Sequence, residues 1–383
     1  MKDFNYWKKC YESQQLEEFN DDDIGLLWLK IKSIGRVDII KSFIDKNNIN
    51  INQKLNLEKK FEELFIFLCK DIEHSNKLLD NYIKLHHKYQ VDENNLDIKQ
   101  LVSELDKLES FNWGGDYRNS LDKYLISQYV KIPLIKRLPD HAPSFSYDVL
   151  DSRFEKYINI AVKNYVLSSW YNHWSSILIE NIFTSHPCVL PAVGQIKSVD
   201  FFINDIPFDL KVTYLPVEYI KLKRKEKGLP VELTFLKKKA AEANINFDEK
   251  AKKKSDTYHE IVEKMKDRND DFCNSVLSVL KKEKLQILKE AQSHPKMLAK
   301  WLYEKQGEMR FGSENRLFLV LVDSEDFTGS WKLKRNLDLL NPTITQYLDD
   351  FKNKKIEDLK VTFAYEGKSQ IFTALADVIF VVK

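Results

Sequence analysis

Apolar positions recur at helical spacing along the first third of the chain. Gly25–Ile34, Val37–Ile44 and Leu57–Ile72 each carry an apolar stripe, and Asn- and Asp-rich breaks at 21–23 and 47–52 separate them. This pattern predicts a helical N-terminal domain over residues 1–132. Pro133, Pro139 and Pro143 then cluster, which predicts a linker over 133–150. Residues 154–183 contain neither Gly nor Pro and place Ile160, Tyr165, Trp170, Trp174, Ile177 and Ile182 at helical intervals. A long core helix is expected there, stopped by His186-Pro187.

After Pro187 the period changes. Val189–Val193 reads as a short strand, Gly194 as a turn and 195–203 as a second strand. The run from Arg316 to Asp323 is apolar on both faces and reads as a central strand covered on each side. A helix is expected from about Asn341, and 359–365 and 370–382 supply strands around a turn at Glu366-Gly367. Strands mixed with helices make the fold class α/β or α+β. A charged helical insertion over about 218–310 interrupts the strands, with one long helix expected from Tyr258 to Gln292.

The second strand turns at Asn204-Asp205 into a third, Ile206-Pro-Phe-Asp-Leu-Lys211. A two-residue loop is the commonest hairpin connection. It sets Ile203 opposite Ile206, Phe202 opposite Pro207, Phe201 opposite Phe208, and Asp200 opposite Asp209. Cross-strand neighbours lie roughly 5 Å apart, and like charges there repel unless something compensates. Lys211 is two residues beyond Asp209 and so returns to the same face. Acidic-x-Lys triplets also arise by chance, as at Asp97-Ile98-Lys99, and a surface hairpin with solvated charges is the plain alternative. Apolar surroundings and a second aspartate in register set Asp209-Leu210-Lys211 apart.

Asp200 followed by Asp209-Leu210-Lys211 on a hairpin resembles the PD-(D/E)xK nuclease superfamily, although Val199 stands where the family's proline would be. The resemblance extends over about 151–383. It implies a restriction endonuclease-like mixed sheet flanked by helices, carrying the helical N-terminal domain and the basic insertion. Asp200 and Asp209 would bind Mg²⁺, with Mn²⁺ able to substitute, and Lys211 would act on the attacking water and the phosphate. Glu180, a carboxylate among large apolar residues near the end of the long helix, matches a helical glutamate that completes the metal site in several such families. The alternative for Glu180 is a boundary position paired with a surface lysine. The implied reaction is hydrolysis of DNA phosphodiester bonds leaving 5′-phosphate and 3′-hydroxyl ends, in a type II restriction or phage-defence setting.

The overall charge of +2 hides a local excess. Residues 221–254 hold 12 Lys or Arg against 5 Asp or Glu, with Lys221, Lys223, Arg224, Lys225, Lys237, Lys238 and Lys239 the densest part. Such a patch suits a polyanion, DNA with RNA as alternative; a solvated helical face is the other reading. A homodimer or a defence-complex protein partner is also open. Cys10, Cys69, Cys188 and Cys273 form no Cys-x-x-Cys pair, so neither a zinc ribbon nor a disulfide framework is indicated. No phosphate-binding glycine loop, His-Glu-x-x-His or Gly-x-Ser-x-Gly occurs. With no apolar run of roughly 20 residues and a polar N-terminus, a cytoplasmic location without membrane contact is expected. Two rivals stand: a non-catalytic nucleic-acid-binding or assembly protein that keeps the fold, and a repair or structure-specific nuclease.

Overall fold

The computed structural model describes residues 2–52, 55–87, 97–109, 159–193, 196, 198–248, 254–305, 314–365 and 369–383. The chain divides into two compact units. Met1–His87, His186–Leu333 and Asn341–Lys383 form the first, and Lys88–Ser185 with Lys334–Leu340 form the second. The linker expected at 133–150 and the turn at Glu366-Gly367 lie outside the described residues.

The first unit is mixed α/β. Its sheet contains β1 (Val189–Pro191), β2 (Phe201–Ile203), β3 (Ile206–Tyr214), β4 (Arg316–Val322), β5 (Lys360–Ala364) and β6 (Ile371–Val382), in the order β1-β2-β3-β4-β6-β5. β1, β2 and β3 form an antiparallel meander, β3–β4 and β4–β6 are parallel, and β5 closes the edge antiparallel to β6. All seven residues of β4 are buried, as its continuous apolar run anticipates for a strand covered on both faces.

Two apolar clusters pack against this sheet. In one, Leu190, Val199 and Phe202 join Trp7, Trp28, Phe43, Leu64 and Phe65 of the N-terminal helices. Residues 1–87, read from sequence as part of a separate domain, thus share their interior with the hairpin. Gly25 sits where a Cβ would stand 2.7 Å from the Trp7 ring, so glycine is what admits that indole. In the other, Phe318, Val320, Ala374, Ala376 and Val378 pack against Leu298, Leu302 and Tyr303 of the helix Pro295–Lys305, together with Ile287 and Tyr219.

The insertion forms helices Val217–Glu226, Glu232–Glu242, Lys254–Arg268, Asp271–Ser293 and Pro295–Lys305. The single helix expected from Tyr258 to Gln292 is two. Asn269 adopts a left-handed φ of 49°, and the Asp270 side chain accepts the Cys273 N–H at 2.7 Å, capping a new helix. Asn and Asp offer the backbone local partners that compete with a continuous helix, so the adjacent pair ends one and starts the next.

In the second unit the helix Asn159–Thr184 packs with Ile98–Asp106. Arg335 bonds the Leu105 carbonyl at 2.6 Å and pairs with Asp106 at 2.6 Å. Lys334 is buried, which lowers its ammonium to about 8, and it donates to Asn172 Oδ1 at 2.8 Å.

Candidate functional site

The hairpin registers as its spacing requires: Phe201 pairs with Phe208, Phe202 with Pro207 and Ile203 with Ile206. Asn204 and Asp205 have φ of 46° and 68°, the two left-handed residues of a type I′ turn. Lys30, buried on the helix Asp23–Ser33, reaches the turn and bonds Asp205 Oδ1 at 2.5 Å and Asp80 Oδ1 at 2.8 Å. Asn204 N–H donates to the Cys188 carbonyl at 3.2 Å. The turn is therefore held from both the helices and β1.

Past Phe201 the ladder departs from the expected register. Asp200 does not pair with Asp209. Its N–H donates to the Phe208 carbonyl at 2.8 Å, and its carboxylate accepts the Leu210 N–H at 2.7 Å. Asp209 N–H turns the other way, to the Asn315 carbonyl at 2.9 Å beside β4. Ser198 two residues earlier has φ 68°, a strained conformation for serine, with its hydroxyl donating to Glu314 Oε1 at 2.6 Å. The bend lets one Asp200 oxygen substitute for the backbone acceptor that β2 no longer provides.

Asp200, Asp209 and Lys211 come together all the same. Lys211 Nζ stands 2.9 Å from the Asp209 carboxylate, which is buried, while the lysine side chain stays about one-third exposed. Burial, then the charge of Asp209, push the Asp200 carboxyl up to about 6, against the lowering effect of the Leu210 N–H and Lys211. Burial also raises Asp209, although Lys211 and Arg316 draw it down. Burial, more than any neighbouring charge, is thus what raises both carboxyls.

A layer behind these residues was not marked in the sequence as part of the site. Parallel pairing sets Asp209 beside Arg316, whose Nε is 3.7 Å from Asp209 Oδ2 and whose guanidinium bonds Glu314 Oε2 at 2.8 Å. Arg316 lies over the Tyr303 ring, 5.3 Å from its centroid, and the Tyr303 hydroxyl donates to the Glu314 carbonyl at 2.7 Å. Arg316 and Glu314 are fully buried, so their charges must be matched locally. The one available signal was an arginine opening an otherwise apolar strand; its partner is set by parallel pairing across more than a hundred residues.

Glu180 lies half-buried on the helix Asn159–Thr184 of the second unit, between the buried Ile179 and Phe183, and its carbonyl accepts the Thr184 hydroxyl at 2.8 Å. Asp200, Asp209 and Lys211 belong to the first unit. Among the described residues no group of three or more His, Cys, Asp or Glu is arranged to hold a metal ion. Two carboxylates are nonetheless what Mg²⁺ ordinarily takes from a protein, the rest of its shell being water and phosphate. Burial raises both carboxyls, with added repulsion from Asp209 on Asp200 and from Glu314 on Asp209, and a divalent cation would relieve both, so the donor set fits one.

The basic residues divide. Lys223 and Arg224 are buried: Lys223 pairs with Glu226 at 2.9 Å and Glu290 at 3.4 Å, and Arg224 with Glu283 and the Pro230 carbonyl. Lys221 and Lys239 pair with Glu218 at 2.5 Å and Glu242 at 2.6 Å on their own helices. Lys237 lies over the Phe247 ring, and Lys225 and Lys238 are exposed. The patch is therefore partly an internal ionic framework that ties the insertion together.

No protein-family model matches the chain, and comparison with curated proteins and with solved structures gives no match. No helix among the described residues is long and apolar enough to cross a membrane.

Proposed function

We propose that this protein is a Mg²⁺-dependent endonuclease of the restriction endonuclease-like type, hydrolysing DNA phosphodiester bonds at the hairpin. The observation that carries the reading is the Asp209–Lys211 ion pair beside a second, electrostatically crowded aspartate on a strand flanking a buried central strand. An antiparallel meander followed by a parallel fourth strand supports the restriction-like assignment. Asp200 and Asp209 would hold the metal, Mg²⁺ or Mn²⁺, which supplies a Lewis acid for the phosphoryl oxygen and lowers the pKa of a ligated water.

The chain's own residues then have distinct tasks. Asp209 holds the Lys211 ammonium in place through their contact, and Lys211, reachable from solvent, donates to the attacking water and to charge growing on the phosphate. Asp200 is oriented by the Leu210 N–H, which fixes one of its oxygens. Arg316 and Glu314 keep Asp209 in its rotamer from behind. Exposed Lys225 and Lys238 would meet the nucleic-acid backbone.

Incubating the full chain with supercoiled plasmid, with and without Mg²⁺, tests the reading. Metal-dependent nicking or linearisation is expected. Discrete bands would place it with restriction enzymes, and cleavage confined to branched or single-stranded DNA with repair nucleases. No cleavage of any DNA or RNA in Mg²⁺ or Mn²⁺ would favour a non-catalytic nucleic-acid-binding protein.

A further inference from the structure

The turn that leads into β1 holds a cluster of titratable groups that the hairpin site does not use. His186 and Cys188 flank Pro187, and His186 Nδ1 lies 3.0 Å from Cys188 Sγ. The other ring nitrogen, Nε2, lies 3.2 Å from Asp349 Oδ1 on the helix Leu337–Phe351. The Cys188 N–H also points at Nδ1, at 3.4 Å. A backbone N–H can only donate, so Nδ1 is the accepting nitrogen and the ring proton sits on Nε2, directed at Asp349. The Leu348 carbonyl, 3.9 Å from Sγ, is a further neighbour of the thiol, and Tyr347 lies near it too.

A thiol within reach of an unprotonated imidazole nitrogen, with the opposite nitrogen held by a carboxylate, is the arrangement by which a base activates a nucleophile. We propose that Cys188 is a modification site for small uncharged electrophiles, hydroperoxides in particular, with His186 as its base and Asp349 as the group that orients His186. In the reaction Sγ attacks one peroxide oxygen, an S–O bond forms and the O–O bond breaks. The thiol proton passes to His186 Nδ1 and on to the leaving oxygen, giving water or an alcohol. Cysteine is oxidised by two electrons to sulfenic acid and the peroxide is reduced by two.

Other cysteines of the chain serve as internal comparisons. Cys10 and Cys273 are buried, whereas Cys69 is half-buried like Cys188, with burial pushing its thiol up to about 11. Burial raises Cys188 too, so the advantage assigned to it lies in proton removal during attack and not in a standing thiolate. The half-buried sulfur restricts the reagent's size, and the Asp349 carboxylate disfavours an anionic one.

The test is to treat the intact chain with iodoacetamide, or with hydrogen peroxide followed by a sulfenic-acid trap, and to quantify each cysteine by peptide mass spectrometry. Cys188 should react at least about tenfold faster than Cys69, a modest share of what a positioned base delivers. His186→Gln and Asp349→Asn should each bring Cys188 toward the Cys69 rate, while the Cys69 rate itself stays fixed and reports an intact fold. Should His186→Gln expose Cys10 and Cys273 to labelling, Asp349→Asn alone decides, since that side chain is mostly solvent-facing. Equal rates at Cys188 and Cys69, or a Cys188 rate unchanged by Asp349→Asn, would overturn the proposal. The outcome is independent of whether the hairpin cleaves DNA.

Discussion

Asp200 shows how a single side chain carries both the cost and the purpose of the site. A carboxyl raised to about 6 binds its proton more tightly in the folded chain than in the unfolded one, where it titrates near the ordinary value of about 4. Its contribution to stability is therefore full below about pH 4 and is lost as pH rises through about 6, a difference of roughly 3 kcal/mol. Asp200→Asn retains an oxygen for the Leu210 N–H and removes the charge. Thermal melts should show the variant more stable than the wild type at pH 8, with the two converging near pH 4. Added Mg²⁺ at pH 8 should raise the melting temperature of the wild type more than that of the variant. A variant less stable than the wild type at pH 8 would show that the charge supports the fold instead of straining it.

At the scale of elements, the hairpin was the legible part. Its register followed from two apolar strands around Asn204-Asp205, because a period of two fixes every side chain once the turn is placed. The expected Asp200–Asp209 pairing failed for a local reason: the chain bends at Ser198 to Asp200, and backbone partners change where β2 ends. Arg316 and Glu314 were hidden because strand order and parallel pairing are set by contacts distant in sequence. The turn offers its own check. Asn-Gly is the favoured pair for a type I′ turn, so Asp205→Gly should stabilise a hairpin governed by turn chemistry alone. Here it removes an ion partner of a buried lysine. The variant should be less stable by about 1 kcal/mol in denaturant unfolding, and a gain in stability would mean that Lys30 does not hold the turn.

For the whole molecule, the sequence separated helical and strand-bearing regions but not which of them share a core. Apolar stripes at helical spacing in residues 1–87 say that these helices bury one face, not that Phe202 of the hairpin is what they bury it against. The same holds for charge. An excess of lysine over 221–254 is visible in composition, whereas the burial of Lys223 and Arg224 against Glu290 and Glu283 depends on how the inserted helices fold together. If the exposed lysines meet a nucleic-acid backbone, Lys225→Glu with Lys238→Glu should weaken DNA binding across unrelated sequences and flatten its dependence on salt concentration. An unchanged salt slope would assign these residues to solvation.

The proposed hydrolysis at the hairpin would depend most directly on Lys211, which touches Asp209 and stays open to solvent. The decisive measurement is the single-turnover rate of plasmid cleavage in Mg²⁺ for the wild type and Lys211→Ala, with circular dichroism showing that both are folded. Loss of a positioned charge at the transition state should lower the rate by roughly a hundredfold or more. A folded Lys211→Ala protein that cleaves at the wild-type rate would contradict the assignment of the hairpin as the active site.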